Sequence, residues 1–307
     1  MKGKFMRIIK NFVKLILPPK LLDGYRNIYA DYTKRQKLKL ISTLESLECT
    51  NSPRYIVSLT SYGKRLTETA PYAIITLLNQ SIKPDKIVLW VGYDDKKNLP
   101  PIMEKLTAKG LEIHFCEDIR SYTKLIPALL EFPDDFIITA DDDIDYPQNW
   151  FKQLKELHKK NPRKIICHGA RRMKVDENHN LLSFNQWGHT VDKFECANPL
   201  GYTGVLYPPK CFYKEITNKE LFLKLAPCAD DIWFWAMAIL NKSSFEAECP
   251  YVVISDSCFR SRPIDPILAT ETSLWSYNSQ GGNDKQLRAV IEYFPEIREF
   301  LKKIKPK

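Results

Sequence analysis

The residues of this chain best suited to chemistry are clustered carboxylates. Asp141, Asp142 and Asp143 stand side by side, directly after the short apolar, β-branched run at 136–140. Adjacent carboxylates repel, so a fold keeps three together mainly where positive charge faces them. Hard carboxylate oxygens suit Mg²⁺ or Mn²⁺. Were the strand to continue through the triplet, Asp141 and Asp143 would point to one side and Asp142 to the other. Two oxygen ligands would then stand at the mouth of a sheet, where open α/β sheets bind ligands. A solvated acidic turn has the same composition, because turns favour Asp. The buried-type strand before the triplet and the helix pattern after it put the metal site on an equal footing with that turn. A second pair, Asp230 and Asp231, opens a strongly apolar helix pattern ending at Leu240. Acids at a helix start ordinarily cap the helix or meet its dipole.

The elements that must position these groups follow from hydrophobic patterning. Strand-like runs are expected at 55–59, 86–91, 111–115, 136–140, 165–168 and 251–255, with helices at 67–80, 101–109, 124–131 and 147–158 between the first five. Gly110 is placed to close the second helix and Pro147 to open the fourth. Strands alternating with helices predict a mostly parallel, βαβ-built sheet. Residues 171–198 are polar and carry no clear period, as in a lid or an acceptor loop. Gly201 and Gly204, in the strand-like run 200–209, signal close approach of a ligand or another backbone, or a bulged strand. An amphipathic helix is expected near the end, through Leu301.

Several classes are excluded by motif. No G-x-G-x-x-G follows the first strand and no G-x-x-x-x-G-K-[ST] occurs, so the ordinary dinucleotide and P-loop signatures are absent. None of the eight Cys forms a C-x-x-C pair, which argues against zinc ribbons and thioredoxin-type redox chemistry. Free, buried-type thiols without an evident secretory signal fit a reducing cytoplasm.

The formal net charge of +9 is unevenly placed. Residues 1–22 hold six Lys or Arg and no acid, and residues 298–307 add +4, so residues 23–297 sum to −1. A nucleic-acid binder would carry its cations on the folded face. Basic ends on a neutral body point to an anionic membrane surface instead. Residues 5–17 form an amphipathic helix pattern with Arg7, Lys10 and Lys14 on one stripe. At about 1.5 Å per residue it reaches roughly 20 Å, short of a bilayer core of about 30 Å, so it would lie in the interface. Packing on its own domain is the alternative.

A first strand running into Thr60-Ser61-Tyr62, an acidic triplet after the fourth strand, and Asp230-Asp231 with Trp233 some ninety residues later together resemble GT-A glycosyltransferases. The likeness is to the family-2-like bacterial enzymes of capsule, O-antigen and lipopolysaccharide synthesis, and it covers residues 53–262. It implies a GT-A, Rossmann-like α/β domain there, preceded by the basic helix and connector at 1–52 and followed by a helical extension at 263–307.

It also implies a division of labour. Asp141 and Asp143 match the D-x-D metal ligands, which with Asp142 would grip the diphosphate of a nucleotide-sugar donor, expected to be a UDP-sugar. Thr60, Ser61, Tyr62 and Arg65 match the first nucleotide-contacting loop. Lys124 falls where a basic residue reaches the nucleotide, and Asp94 where an acid meets the base, although Gly92 and Tyr93 depart from the usual run. Asp231, with Asp230 in reserve, matches the catalytic base of an inverting enzyme; a helix N-terminus would fix that carboxylate while lowering its basicity. Trp187, His189, Tyr202 and Tyr207 are candidate sugar-stacking residues, and Asp284 a candidate third metal ligand. The expected partners are a saccharide acceptor on a lipid carrier and the inner face of the cytoplasmic membrane, with no nucleic acid. The competing classes are another metal-dependent nucleotidyl- or phosphoryltransferase, and a non-enzymatic, membrane-tethered carbohydrate-binding protein.

Deleting residues 1–20 should move the protein from the membrane pellet to the supernatant on cell fractionation, with activity on a soluble acceptor kept. Unchanged fractionation would contradict the interfacial role of that segment.

Overall fold

The computed structural model describes residues 19–48, 53–189, 197–241 and 249–306. The amphipathic pattern at 5–17 therefore lies outside the described residues. Among those described, no helix is long and apolar enough to cross a membrane. The connector after it is a long helix, α1 (Pro19–Leu40).

The chain then alternates as its patterning predicts. It runs through β1 (Tyr55–Ser61), α2 (Arg65–Glu68), α3 (Ala70–Leu78), β2 (Lys86–Gly92), α4 (Ile102–Thr107), β3 (Leu111–Cys116), α5 (Ile126–Glu131) and β4 (Phe136–Thr139). After these come α6 (Trp150–Lys160), β5 (Ile165–Cys167), β6 (Ala170–Arg172), β7 (Gly188–His189), β8 (Ala197–Pro199) and β9 (Val205–Tyr207). The last part holds α7 (Lys219–Leu225), α8 (Asp230–Leu240), β10 (Tyr251–Val253), α9 (Pro266–Glu271), α10 (Trp275–Tyr277), α11 (Asn283–Tyr293) and α12 (Ile297–Leu301).

Seven strands form one sheet in the order β10-β5-β9-β4-β1-β2-β3. Only β9 runs antiparallel to its neighbours, β4 and β5. This is the mostly parallel, Rossmann-like α/β sheet expected of a GT-A fold. Its strands are apolar on both faces because helices cover both. Alternation divides β1 between two cores: Ile56 packs with Val88, Trp90 and Ile137 against α8, while Val57 and Leu59 pack with Leu89 and Ile138 against α3 and α6. Leu287, Val290, Ile297 and Phe300 of α11 and α12 join the first of these cores.

Three local expectations are corrected. The helix expected at 67–80 is split at Thr69 (φ −131°, ψ −46°), since Pro71 in the first turn of α3 supplies no amide hydrogen to a preceding helix. The stretch 171–198 carries strands at its ends, where β6 pairs with both β7 and β8 in a second, three-stranded sheet, while most of the residues between β6 and β7 are irregular as expected. Arg172, Glu177, Asn178, Asn180, Asn185 and Gln186 are exposed, while Met173, Val175, Phe184, Trp187 and Asn198 are buried. The acidic triplet does not continue the strand either. β4 ends at Thr139, and the Asp141 amide donates to Tyr146 Oη (2.8 Å), turning the chain away from the ladder.

The two glycines in 200–209 make close approaches to the protein's own side chains. Gly204 has φ +101°, and a Cβ there would lie 2.4 Å from Trp150 Nε1. That indole donates to the Thr203 carbonyl at 2.8 Å, fixing the loop on α6. Gly204→Ala should cost about 3 kcal/mol or more, from backbone strain and overpacking together. Gly63→Ala (φ +50°, with open space around it) should cost about 1 kcal/mol. Urea denaturation midpoints measure both; equal midpoints for the two variants would contradict this packing.

Candidate active site

A cavity of about 860 Å³ opens where β1, β3 and β4 end, at the carboxyl edge of the parallel strands. Asp141, Asp142 and Asp143 line it from the turn after β4, and Asp230 and Asp231 from the first turn of α8. Two cations, Lys124 buried and Arg65 half-buried, stand among these five carboxylates. Lys124 Nζ lies 3.0 Å from Asp141 Oδ1 and 3.1 Å from Asp230 Oδ2. Arg65 pairs with Asp142 Oδ1 at 3.1 Å and with Asp143.

The fold sets each of these groups. Trp90 Nε1 donates to Ser58 Oγ (2.9 Å), and that hydroxyl donates to the Lys124 carbonyl (2.7 Å), so two central strands hold the lysine backbone. Tyr146 Oη receives the Asp141 amide and donates to the Tyr202 carbonyl (3.1 Å), joining the triplet to the opposite wall. The Gly201 amide donates to both oxygens of Asp231, at 3.1 and 3.0 Å. A side chain at 201 would collide with this arrangement, since its Cβ would fall 2.5 Å from Asp231 Oδ1 and 3.0 Å from Lys124 Nζ.

The electrostatics follow from too few cations. Burial pushes Asp143 up to about 7; Arg65 opposes the shift, while Asp142 and Asp141 reinforce it. Asp231 is likewise raised to about 7 by burial and by Asp230, against Lys124 and the Gly201 amide. The lowered basicity expected of a helix N-terminus is thus overridden by desolvation and a like charge. Burial also raises Asp142, whose Oδ2 has no hydrogen-bond partner among the described residues. Burial alone would lower Lys124, but Asp141, Asp230 and Asp231 outweigh it and hold it charged.

A divalent cation fits this charge pattern. The donors are hard carboxylate oxygens, one of them buried without a partner among the described residues, and burial disfavours the charged forms of Asp142 and Asp143 where a metal would favour them. Among the described residues no three His, Cys, Asp or Glu form a ready-made cage. The residues suit an ion held by one or two carboxylates and completed by substrate phosphates, as Mg²⁺ commonly is. Asp141 and Asp143 can serve as such ligands only by sharing with, or releasing, Lys124 and Arg65.

The other expected residues fall as follows. Thr60 and Tyr62 line the cavity, Thr60 Oγ1 donating to the Trp90 carbonyl (3.0 Å) and Tyr62 lying under the Arg65 guanidinium (5.8 Å). Ser61 is buried beneath it, beside Asp142. Asp94 is not in the site: the 3₁₀ segment Tyr93–Asn98 carries it outward into solvent. Asp95 instead accepts the Gly63 amide at 3.0 Å, bracing the first loop. Asp284, the candidate third metal ligand, is not brought to the triplet: its oxygens accept from Ser183 Oγ (2.7 Å) and the Phe184 amide (2.6 Å) away from the cavity. Tyr202 lines the cavity, whereas Trp187 and Tyr207 are core residues. The side chain of His189 lies outside the described residues.

Several lining residues carried no sequence motif. Asp118 and Arg120 follow β3, and Arg120 sits at φ +62°, with its amide donating to Asp118 Oδ1 (2.7 Å). The rule that singled out Asp94, an acid just past a strand, applies equally to Asp118. Pro266, Ala269, Thr270 and Ser273 form a far wall from α9 and the loop after it.

No family model matches the chain, and no curated protein matches it. Solved structures do show likenesses. Against 4-diphosphocytidyl-2C-methyl-D-erythritol synthase from Anaerococcus prevotii the identity is 13%, over 57% of this chain and 79% of that one, with a TM-score of 0.37. A CMP:2-keto-3-deoxy-manno-octonic acid synthetase complexed with CTP gives 10%, 74%, 99% and 0.41 for the same quantities. A TarS fragment from S. aureus gives 17%, 66%, 58% and 0.41. At these identities and scores the likenesses concern backbone arrangement.

Proposed function

We propose that the protein is a metal-dependent, inverting glycosyltransferase that moves a sugar from a nucleoside-diphosphate donor, a UDP-sugar, to a saccharide hydroxyl. The observation that carries this is the Lys124 clasp. It ties the acid triplet, suited to a diphosphate and its cation, to a carboxylate pair whose outer member, Asp231, titrates near neutrality in the same cavity. A leaving-group site and a base thus stand together but in separate places.

The chemistry balances with these groups. The acceptor oxygen attacks the anomeric carbon, the bond from that carbon to the diphosphate oxygen breaks, and the diphosphate leaves with the electron pair. Asp231 takes the acceptor proton; an acid titrating near 7 is matched to that task at neutral pH. A divalent cation held by Asp141 and Asp143 would supply charge stabilisation to the departing diphosphate. Lys124 adds a fixed positive charge between the two regions. Arg65 holds the triplet and is not free to reach the base. Asp118 and Arg120, past β3, border the part of the cavity open to the nucleoside. Among the described residues, Asp230 and the triplet are tied to Lys124 and Arg65 and are poorly free to act as a covalent nucleophile, which favours inversion. The basic N-terminus, held at an anionic cytoplasmic leaflet, would bring the cavity to a lipid-linked acceptor of surface-polysaccharide synthesis.

Incubated with UDP-sugars and Mn²⁺, the protein should slowly release UDP; release of UMP or pyrophosphate would indicate nucleotidyl transfer instead. Asp231→Asn should lower turnover about a hundredfold or more. A binding protein without catalysis would show no release at all.

The raised carboxylates give a signed pH dependence. Asp231 must be deprotonated to act, so kcat/KM should climb with pH and level off above about 7. The metal-free fold holds protons on Asp143 and Asp231 between the ordinary carboxylate range and about 7, which the unfolded chain releases. Stability should therefore fall as pH rises through that window, by up to about 1.4 kcal/mol per unit for each group. Melting temperatures at pH 5 and pH 8 in EDTA measure this, and a higher value at pH 8 would contradict it.

A further inference from the structure

The small sheet brings one more polar group to the cavity. Asn198, on β8, borders it while remaining only 1% exposed. Both its Nδ2 and its Oδ1 are shielded from water and have no hydrogen-bond partner among the described residues. Native interiors leave few buried polar atoms unmet, and each costs the fold its full desolvation. Here both ends of one carboxamide are unmet, and the backbone around it is well fixed. Asn198 pairs with Arg171 of β6, the Leu200 amide donates to the Gly169 carbonyl (3.0 Å), and Thr203 Oγ1 donates to the Leu200 carbonyl (2.7 Å). Among the described residues nothing uses this side chain, although the backbone that carries it is held in place.

We infer that Asn198 is a specificity-determining residue that reads a pair of neighbouring sugar hydroxyls on the acceptor side of the cavity. The inference rests on the glycosyltransferase reading above. A carboxamide presents an acceptor and two donors in one plane, and adjacent hydroxyls on a sugar ring, each able to donate and accept, complement it. Its place on the acceptor side follows from the chain path. Asn198 lies three residues before Gly201, whose amide holds Asp231, and so stands on the small-sheet side of the base. The triplet follows β4 in the large sheet. Because no described residue meets either amide atom and Asn198 borders the cavity, the partner is one that a ligand seated closely against this wall would bring. A site built to hydrogen-bond hydroxyls in this way rejects analogues that lack them far more strongly than an apolar pocket can.

Such a residue trades stability of the free protein for recognition. Asn198→Leu, close in shape and apolar, should raise the melting temperature of the ligand-free protein by a few degrees while weakening sugar binding at least tenfold. The binding probes are methyl glycosides of glucose, galactose, mannose and N-acetylglucosamine, measured by saturation-transfer NMR with UDP and Mn²⁺ present. Asn198→Ala, which removes the amide without adding bulk, should show the same loss of binding, so that overpacking in the leucine variant cannot imitate the result. Glycoside affinity unchanged in both variants would overturn the inference, as would a wild-type protein that binds UDP and Mn²⁺ but none of the four glycosides. A wild-type protein that binds neither UDP nor Mn²⁺ would instead overturn the reading on which the inference rests.

Discussion

Lys124 is the contact on which this site depends. Its ammonium lies between Asp141 and Asp230, which come from separate elements, and its backbone is fixed by Ser58 and Trp90 of the two central strands. Without it, Asp141, Asp230 and Asp231 would converge with Arg65, already paired to Asp142 and Asp143, as the cation left among the five carboxylates. Removing one partner of a buried ion pair typically costs several kcal/mol, because the remaining charge stays desolvated. The clasp therefore does more than add attraction. It permits five carboxylates to share one cavity, and it sets the distance between the triplet and the base.

The remaining charge imbalance suits the proposed chemistry. Arg65 and Lys124 do not neutralise the cluster, so Asp143 and Asp231 hold protons near neutrality. On the proposed reading, the deficit at the triplet would attract a divalent cation and the phosphates it carries. At Asp231, the same deficit makes a stronger base than a helix start would provide. One shortage of positive charge would thus serve both proposed roles, separated by which ligand each carboxylate meets.

Much of the fold could be read from residue patterning. Alternation of apolar strands with helices predicted the sheet, and β1 to β4 fall within about two residues of their expected positions. The triplet and the Asp230-Asp231 pair were visible as residue types, and both line the cavity. Their arrangement was not visible, because it depends on side chains from elsewhere. Arg65 turns onto Asp142 and Asp143, and Tyr146 pulls Asp141 out of the strand. The small sheet was missed because its strands are short and its pattern is polar outside and apolar only at scattered positions. Asp94 and Asp118 each follow a strand and look alike in sequence; the 3₁₀ turn that carries Asp94 outward separates them. The α9 wall bears no motif at all, since its residues only shape the cavity.

The most direct test of the central claim is a calorimetric titration of UDP into the protein, with Mn²⁺ and then with EDTA. Binding should require Mn²⁺ and should be lost in Asp143→Asn with the fold intact by circular dichroism. UDP binding of equal strength in EDTA, or undiminished in Asp143→Asn, would contradict the assignment of the triplet to a metal-bound diphosphate.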